Sequence, residues 1–167
     1  APADGRVIAV KQNQILPDDL AEEDDEATYT KISIFLSVLD AHVNRVPVGG
    51  DIVKTFYYEG KFVNAELDKA SEENERSAAL IKLDNEKFVG FTQIAGLVAR
   101  RIITTLEAGQ TRETGEKFGL IRFGSRMDVY LPKGVNSFVC VGQRTIAGET
   151  VLADYKSKEK TRTAKAL

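Results

Sequence analysis

Three residues in this chain carry groups that, brought together, would do nucleophilic chemistry: Asp4, His42 and Ser125. His42 is the only histidine among the 167 residues, so any imidazole proton transfer must run through it. An unperturbed imidazole titrates near pH 6.5 (about one unit of scatter in proteins), which suits a proton shuttle at neutral pH. A serine hydroxyl is a poor nucleophile until an adjacent base takes its proton, and a carboxylate commonly orients that base. The order aspartate, histidine, serine is no obstacle, because such triads are defined by geometry and role. Ser125 lacks the Gly-x-Ser-x-Gly elbow, which leaves an α/β-hydrolase without support. Each residue also has an ordinary structural reading. Gly124-Ser125 between two strands is a tight turn, Asp4-Gly5 is another, and a lone histidine is often just hydrogen-bonded scaffold.

The elements that must position these groups are short and β-rich. Runs at Arg6–Lys11, Tyr29–Leu36, Ile52–Tyr58, Ala79–Leu83, Phe88–Ile94, Leu97–Thr104, Gly119–Phe123, Met127–Leu131, Phe138–Val141 and Thr150–Ala153 are bounded by turn residues. In Tyr29–Leu36, Thr30, Ile32, Ile34 and Leu36 fall on one face by the period of two. Gly96 and the β-branched Val98, Ile102 and Ile103 favour strand over helix within Ile94–Leu106, and Ser37–Val43 has room for a helical turn or two. The expected fold is mainly β (β-rich α+β), a sandwich or barrel-sandwich sheet with few short helices, forming one domain over residues 1–167. The acidic run Glu22–Glu26, the polar stretch Asp68–Ser77, residues Glu107–Glu116 and the basic tail Lys156–Leu167 read as solvated loops and a fraying end.

Composition narrows the function classes. A net charge of −2 gives no broad electrostatic footprint for nucleic acid. The single Cys140 permits no internal disulfide and no metal-ligand spacing, and no metal is expected. No apolar run reaches the roughly 18–20 residues that span a bilayer. The chain opens without Met and without a signal-peptide pattern, so further residues are expected upstream of Ala1.

The motifs then converge. Pro2-Ala-Asp-Gly5, Ile34–Pro47, Gly60–Arg76, Gln93–Arg101, Arg122–Pro132, Val141-Gly-Gln143 and Ala147–Ala153 cover most of the chain. In this order they resemble the phosphatidylserine decarboxylase proenzymes, in particular the short bacterial and archaeal type. Where the long bacterial type carries a Leu-Gly-Ser-Thr cleavage motif, this chain has Phe123-Gly124-Ser125-Arg126.

The resemblance implies self-cleavage at Gly124-Ser125, with His42, oriented by Asp4, activating Ser125. It implies a β chain of residues 1–124, an α chain of 125–167, and a covalent pyruvoyl group derived from Ser125. That group would take up the amine of phosphatidylserine and release phosphatidylethanolamine, with His42 as the proton donor. Glycine at 124 is expected because a side chain there would crowd the attacked carbonyl. Arg45, Arg100, Arg101, Arg122 and Arg126 are the candidates for the anionic headgroup, with Phe62, Val63 and Asn64 lining the site. Implied partners are the phospholipid, the membrane surface, the two chains of one precursor and a possible homo-oligomer. The implied location is peripheral, on the cytoplasmic face of the cell membrane, with an anchor upstream. Two other readings remain open: a barrel-sandwich carrier, for which Asp68-Lys69-Ala70 is the one candidate hairpin, and a serine hydrolase that uses the triad without splitting itself. A relative acting on an archaeal ether lipid is a third.

Overall fold

The structure, a computed structural model, describes residues 1–21, 27–62, 64–66, 73–97, 101–122 and 124–164. The acidic run 22–26, residues 67–72 with the Lys69 hairpin, Val63, residues 98–100 with Arg100, Phe123 and the last three residues of the tail lie outside the described residues.

Eleven strands form two sheets among the described residues. They are β1 (Gly5–Gln14), β2 (Tyr29–Leu36), β3 (Val43–Arg45), β4 (Gly50–Tyr58), β5 (Arg76–Lys82), β6 (Phe88–Ile94), β7 (Ile102–Thr104), β8 (Thr111–Arg112), β9 (Lys117–Ile121), β10 (Ser125–Pro132) and β11 (Arg144–Thr145). The large, curled sheet runs β11-β1-β2-β10-β6-β5-β4-β8, and the small one runs β3-β9-β7. Every pairing between these strands is antiparallel. The mainly β expectation is met.

The alternation read in β2 works as expected. Ile32, Ile34 and Leu36 enter the main core with Val129 and Met127 of β10 and Phe91 of β6. The small sheet covers that face. Phe118 of β9 meets Phe91 edge-on at 5.3 Å between ring centroids, a favoured aromatic geometry. Gln93 of β6 donates through Nε2 to Asn44 Oδ1 of β3 at 2.8 Å, so a buried polar pair joins the sheets. On the opposite face, Leu16 and Leu20 pack on Tyr29, Ala78, Leu80 and Tyr130. Arg76 fastens this cover by donating to Asp19 at 2.7 Å. Covered on both faces and flanked by β2 and β6, β10 is buried at every residue.

Several elements differ from the sequence expectation. The run from Leu97 does not start as a strand: Leu97 itself lies in a turn, and the strand begins only at Ile102. Residues 37–40 form a tight turn in place of a helical one, with Asp40 N–H donating to Ser37 O. Phe138–Val141 and Thr150–Ala153 reduce to one isolated bridge between Ser137 and Ala153. These runs are apolar enough for strands but have no continuous edge to pair with. The Gly124-Ser125 turn is also not a hairpin. Strands β9 and β10 sit in different sheets.

Candidate active site

Ser125 is the first residue of β10, opposite Leu36, the last residue of β2. Its side chain is fully buried, and Oγ has no hydrogen-bond partner among the described residues. An orphaned buried hydroxyl forgoes roughly 1–3 kcal/mol of solvation. Gly124 before it lies at φ +65°, the left-handed region that glycine enters without steric cost. A Cβ added at Gly124 would meet nothing within 4 Å. The left-handed backbone is by itself a reason for glycine at this position. Crowding occurs across the gap. A Cβ built on Gly96 would stand 1.6 Å from the Gly124 carbonyl oxygen.

His42 approaches from the other side of the same connection. Its carbonyl accepts from Ile121 N at 3.2 Å, and residues 122–124 then lead to Ser125. Leu36, paired with Ser125, and Ile121, bonded to the His42 carbonyl, thus bracket the turn that leads to His42. Burial lowers the imidazole pKa below its ordinary value, and Asp40 together with a backbone hydrogen bond to Ser37 opposes this. The net direction favours neutral imidazole at pH 7, the form able to take a proton. Asp40 itself is tied down. Its Oδ2 accepts from Ser37 N at 2.8 Å, and Oδ1 pairs with Arg144 of β11. Burial pushes the Asp40 carboxyl up, and its bonds to Ser37 and Arg144 outweigh that and hold it low.

Asp4 sits at the same sheet end, just ahead of β1. Its Oδ1 accepts from Ala147 N at 2.6 Å. Strands β1 and β10 flank β2, which sets Asp4 and Ser125 about two strand spacings apart, ~9.5 Å. Asp4 and Ser125 thus stand at the same end of the large sheet, with the turn that leads to His42 following β2 between them. Asp40 is the carboxylate that opposes the burial-driven lowering of the His42 pKa.

The arginines divide. Arg126 and Ser125 are consecutive in a strand, so their side chains leave opposite faces. Arg126 is 1% exposed, with Nη1 donating to Ala65 O at 3.0 Å and Nη2 to Asp128 Oδ2 at 3.0 Å. Its Nε stands 2.9 Å from Asp128 Oδ1 in the same ion pair. Arg45 donates through Nη1 to Gly115 O at 2.8 Å. Both are committed to the scaffold. Arg101 and Arg122 are exposed and lie one step beyond the Ile102–Ile121 pair, facing each other across β7 and β9. Arg101 also acts on Tyr57, whose phenol is pushed up to about 12 by burial first and then by its bond to Glu75. Phe62 is partly exposed, and Asn64 Oδ1 accepts from Glu66 N at 3.1 Å. Arg100 and Val63 fall outside the described residues.

A mostly apolar cavity of about 380 Å³ touches Val129 and Leu131, farther along β10. Val129 is four residues from Ser125, roughly 13 Å along a strand, so this cavity is not the site. Sequence reasoning missed Asp40, Asp128 and Gly96. Asp40 stands two residues before His42, and Asp128 shares a strand face with Arg126 by the period of two, so both were within reach of spacing.

Residues 1–153 match the family model described as phosphatidylserine decarboxylase. The chain is 56% identical over 95% of its length to the phosphatidylserine decarboxylase proenzyme of Nitrobacter winogradskyi, covering 63% of that protein. It is 50% identical over 92% of its length to the proenzyme of that name from Gluconacetobacter diazotrophicus, covering 67% of it. The corresponding protein of Cereibacter sphaeroides is 48% identical over 99% of this chain, with 70% of its own length covered. The chain thus spans about two thirds of the length of these relatives, and the stretch it spans includes both Gly124 and Ser125. On this match, over nearly all its residues, the chain belongs to the phosphatidylserine decarboxylase family.

Proposed function

We propose that this chain is the catalytic part of a proenzyme that splits itself between Gly124 and Ser125 and then decarboxylates phosphatidylserine to phosphatidylethanolamine. The observation that carries the reading is the buried Oγ of Ser125, without a hydrogen bond among the described residues and directly after a left-handed glycine, in a family whose members are named proenzymes.

In the splitting step, Ser125 Oγ adds to the Gly124 carbonyl carbon as its proton passes to His42. The C–N bond then breaks and the nitrogen takes a proton, which leaves an ester and a free amine. Loss of the Ser125 Cα proton expels the Gly124 carboxylate. The resulting enamine tautomerises to an imine, and one water converts that to a ketone and ammonia. The products are a β chain of residues 1–124 and an α chain that starts with a pyruvoyl group at 125.

The site fits that group. The position is buried and holds no hydrogen bond among the described residues that the loss of Oγ would break. Once formed, the pyruvoyl supplies an electron sink for decarboxylation. The protein's own residues do the rest. His42, held neutral, takes and returns protons beside residue 125. Asp40 tunes its imidazole in the folded precursor, and Asp4 is the second carboxylate at this sheet end. Arg101 and Arg122 are assigned to the phosphate and carboxylate of the headgroup, because both are exposed one step beyond the Ile102–Ile121 pair.

We place the enzyme peripherally on a membrane, on its cytoplasmic face. Support comes from Val38 and Leu39, 58% and 92% exposed at the tip of the turn that leads to His42, with Leu97 exposed beyond β6 at the same end. A carrier role is not favoured, because the relatives that match along nearly the whole chain are named as decarboxylase proenzymes.

Denaturing electrophoresis with intact mass tests the reading. Active protein should show two pieces, the smaller beginning at residue 125 with its amine lost. Ser125→Ala should leave one chain and no activity. Active protein that remains a single full-length chain would return the assignment to an unprocessed hydrolase.

A further inference from the structure

We infer that Gly96 is a positioning residue for self-cleavage, the seat that sets the direction of the scissile carbonyl. This rests on the reading of Gly124-Ser125 as the split bond. Three observations carry it. The Gly124 oxygen occupies the space where any other residue at 96 would carry its Cβ, 1.6 Å from the Cβ position, with the carbonyl carbon at 2.8 Å. Gly96 is fixed from behind: Ala95 N donates to Glu75 O at 2.9 Å, and Ala65 Cβ lies 3.3 Å from the same Cβ position. Residue 65 is itself pinned, because its carbonyl accepts from Arg126, the residue after the serine. The scissile carbonyl therefore lies against the end of β6 at Gly96, a position that Ala65, held by Arg126, backs from beside it.

Attack by a serine oxygen on the carbonyl of the preceding residue closes a five-membered ring. It succeeds only when the carbonyl carbon turns its face to Oγ. Gly124 is in the left-handed region and, beyond its chain neighbours, no atom comes within 4 Å of its Cβ position, so no residue outside the segment packs there to stop the peptide from rotating. The contact with Gly96 supplies that stop. It also places a Cα hydrogen against the oxygen that becomes negative as the bond forms, a weak but favourable contact. A methyl group at 96 forces the oxygen outward from 1.6 Å to at least 3.0 Å, a displacement of about 1.4 Å. Misplacement by about 1 Å costs such reactions on the order of 10²-fold in rate.

The test follows the splitting of newly synthesised full chain by electrophoresis over time, for the parent, Gly96→Ala and Val129→Ala. Val129→Ala removes core volume farther along the same strand and controls for general loss of stability. Thermal midpoints are read on the matching Ser125→Ala backgrounds, where no splitting intervenes. Hydroxylamine, which cuts the ester and not the amide, reports how much ester each variant forms. Gly96→Ala should split about 100-fold more slowly than the parent and yield little hydroxylamine-sensitive chain, while Val129→Ala splits at the parental rate despite a lower midpoint. Splitting of Gly96→Ala within threefold of the parent (about 0.7 kcal/mol) overturns the inference. So does slowing that Val129→Ala reproduces at an equal loss of midpoint. A parent that never splits removes the proposed function and this inference together, whereas a parent that splits alongside an equally fast Gly96→Ala removes only this inference.

Discussion

Replacing Asp128 with asparagine leaves Arg126 as a buried cation facing a neutral amide. Both side chains are almost fully enclosed, 2% and 0% exposed, in the middle of the large sheet. The pair is held by a 3.0 Å hydrogen bond and a 2.9 Å ion contact, with Ala65 O as a further acceptor for the guanidinium. The cross-strand neighbours of Asp128 are the uncharged Ser33 and Thr92. Removing one partner of a buried ion pair costs about 3–5 kcal/mol, a large share of the ~5–15 kcal/mol that holds a domain folded. With a urea slope near ~2 kcal/mol/M, the unfolding midpoint of Asp128→Asn should fall by about 1.5–2.5 M. The measurement belongs on a Ser125→Ala background, so that a single chain unfolds. The double replacement Arg126→Met with Asp128→Leu removes both charges and should recover most of the loss, because a well-packed apolar pair is often as stable as a buried ion pair. A loss under about 1 kcal/mol for Asp128→Asn would show that the charge is not buried as described. A double replacement no better than the single one would show that shape, not charge, governs the site.

Two further outcomes follow from the site. Burial lowers the His42 pKa, so its basic form persists to a pH below the ordinary 6.5. The splitting rate should therefore be flat at neutral pH and fall only as the pH drops through a midpoint under about 6.5, followed by electrophoresis in buffered series. A midpoint at or above that value would contradict the assigned environment. Asp40→Asn removes the charge that raises the His42 pKa, so it should move the midpoint lower still, whereas Asp4→Asn should not move it; the reverse pattern would make Asp4 the partner of His42. The exposed tip predicts binding to anionic vesicles. Leu39→Asp should weaken flotation with phosphatidylserine-containing vesicles by about tenfold or more, from ~1.5–3 kcal/mol for a fully buried leucine, and unchanged flotation would refute insertion by this turn.

Much of the fold was legible because β-strands announce themselves by alternation. Ile32, Ile34 and Leu36 read directly as a core face, and the structure puts them there. What could not be read was which strand lies beside which. Nothing local in Leu120–Phe123 and Met127–Leu131 says that the first run belongs to the small sheet and the second to the large one. Gly124-Ser125 therefore reads locally as a plain tight turn between two strands, with nothing to say that those strands belong to different sheets. Short strands such as β3, β8 and β11 were also invisible, because two or three residues carry no period and exist only through their partners.

The site shows the same division between local and long-range information. Ser125, His42 and Gly124 stood out by residue type and by motif. The residues that direct them come from elsewhere in the chain: Gly96 from the end of β6, Asp40 from the turn after β2, and Ile121 through a backbone bond. Two glycines frame the bond, for different reasons. At residue 124 the demand is a left-handed backbone, while the steric demand sits at residue 96, twenty-eight positions away in sequence. A serine can be read as a nucleophile from sequence because its chemistry is its own. The direction of the carbonyl it attacks belongs to the neighbour across the gap, and only the packed sheet supplies that neighbour. A reaction internal to one peptide bond therefore depends on three strands, β2, β10 and β6, keeping their register, which is why the stability of Arg126–Asp128 and the rate at Gly124-Ser125 should be measured on the same set of variants.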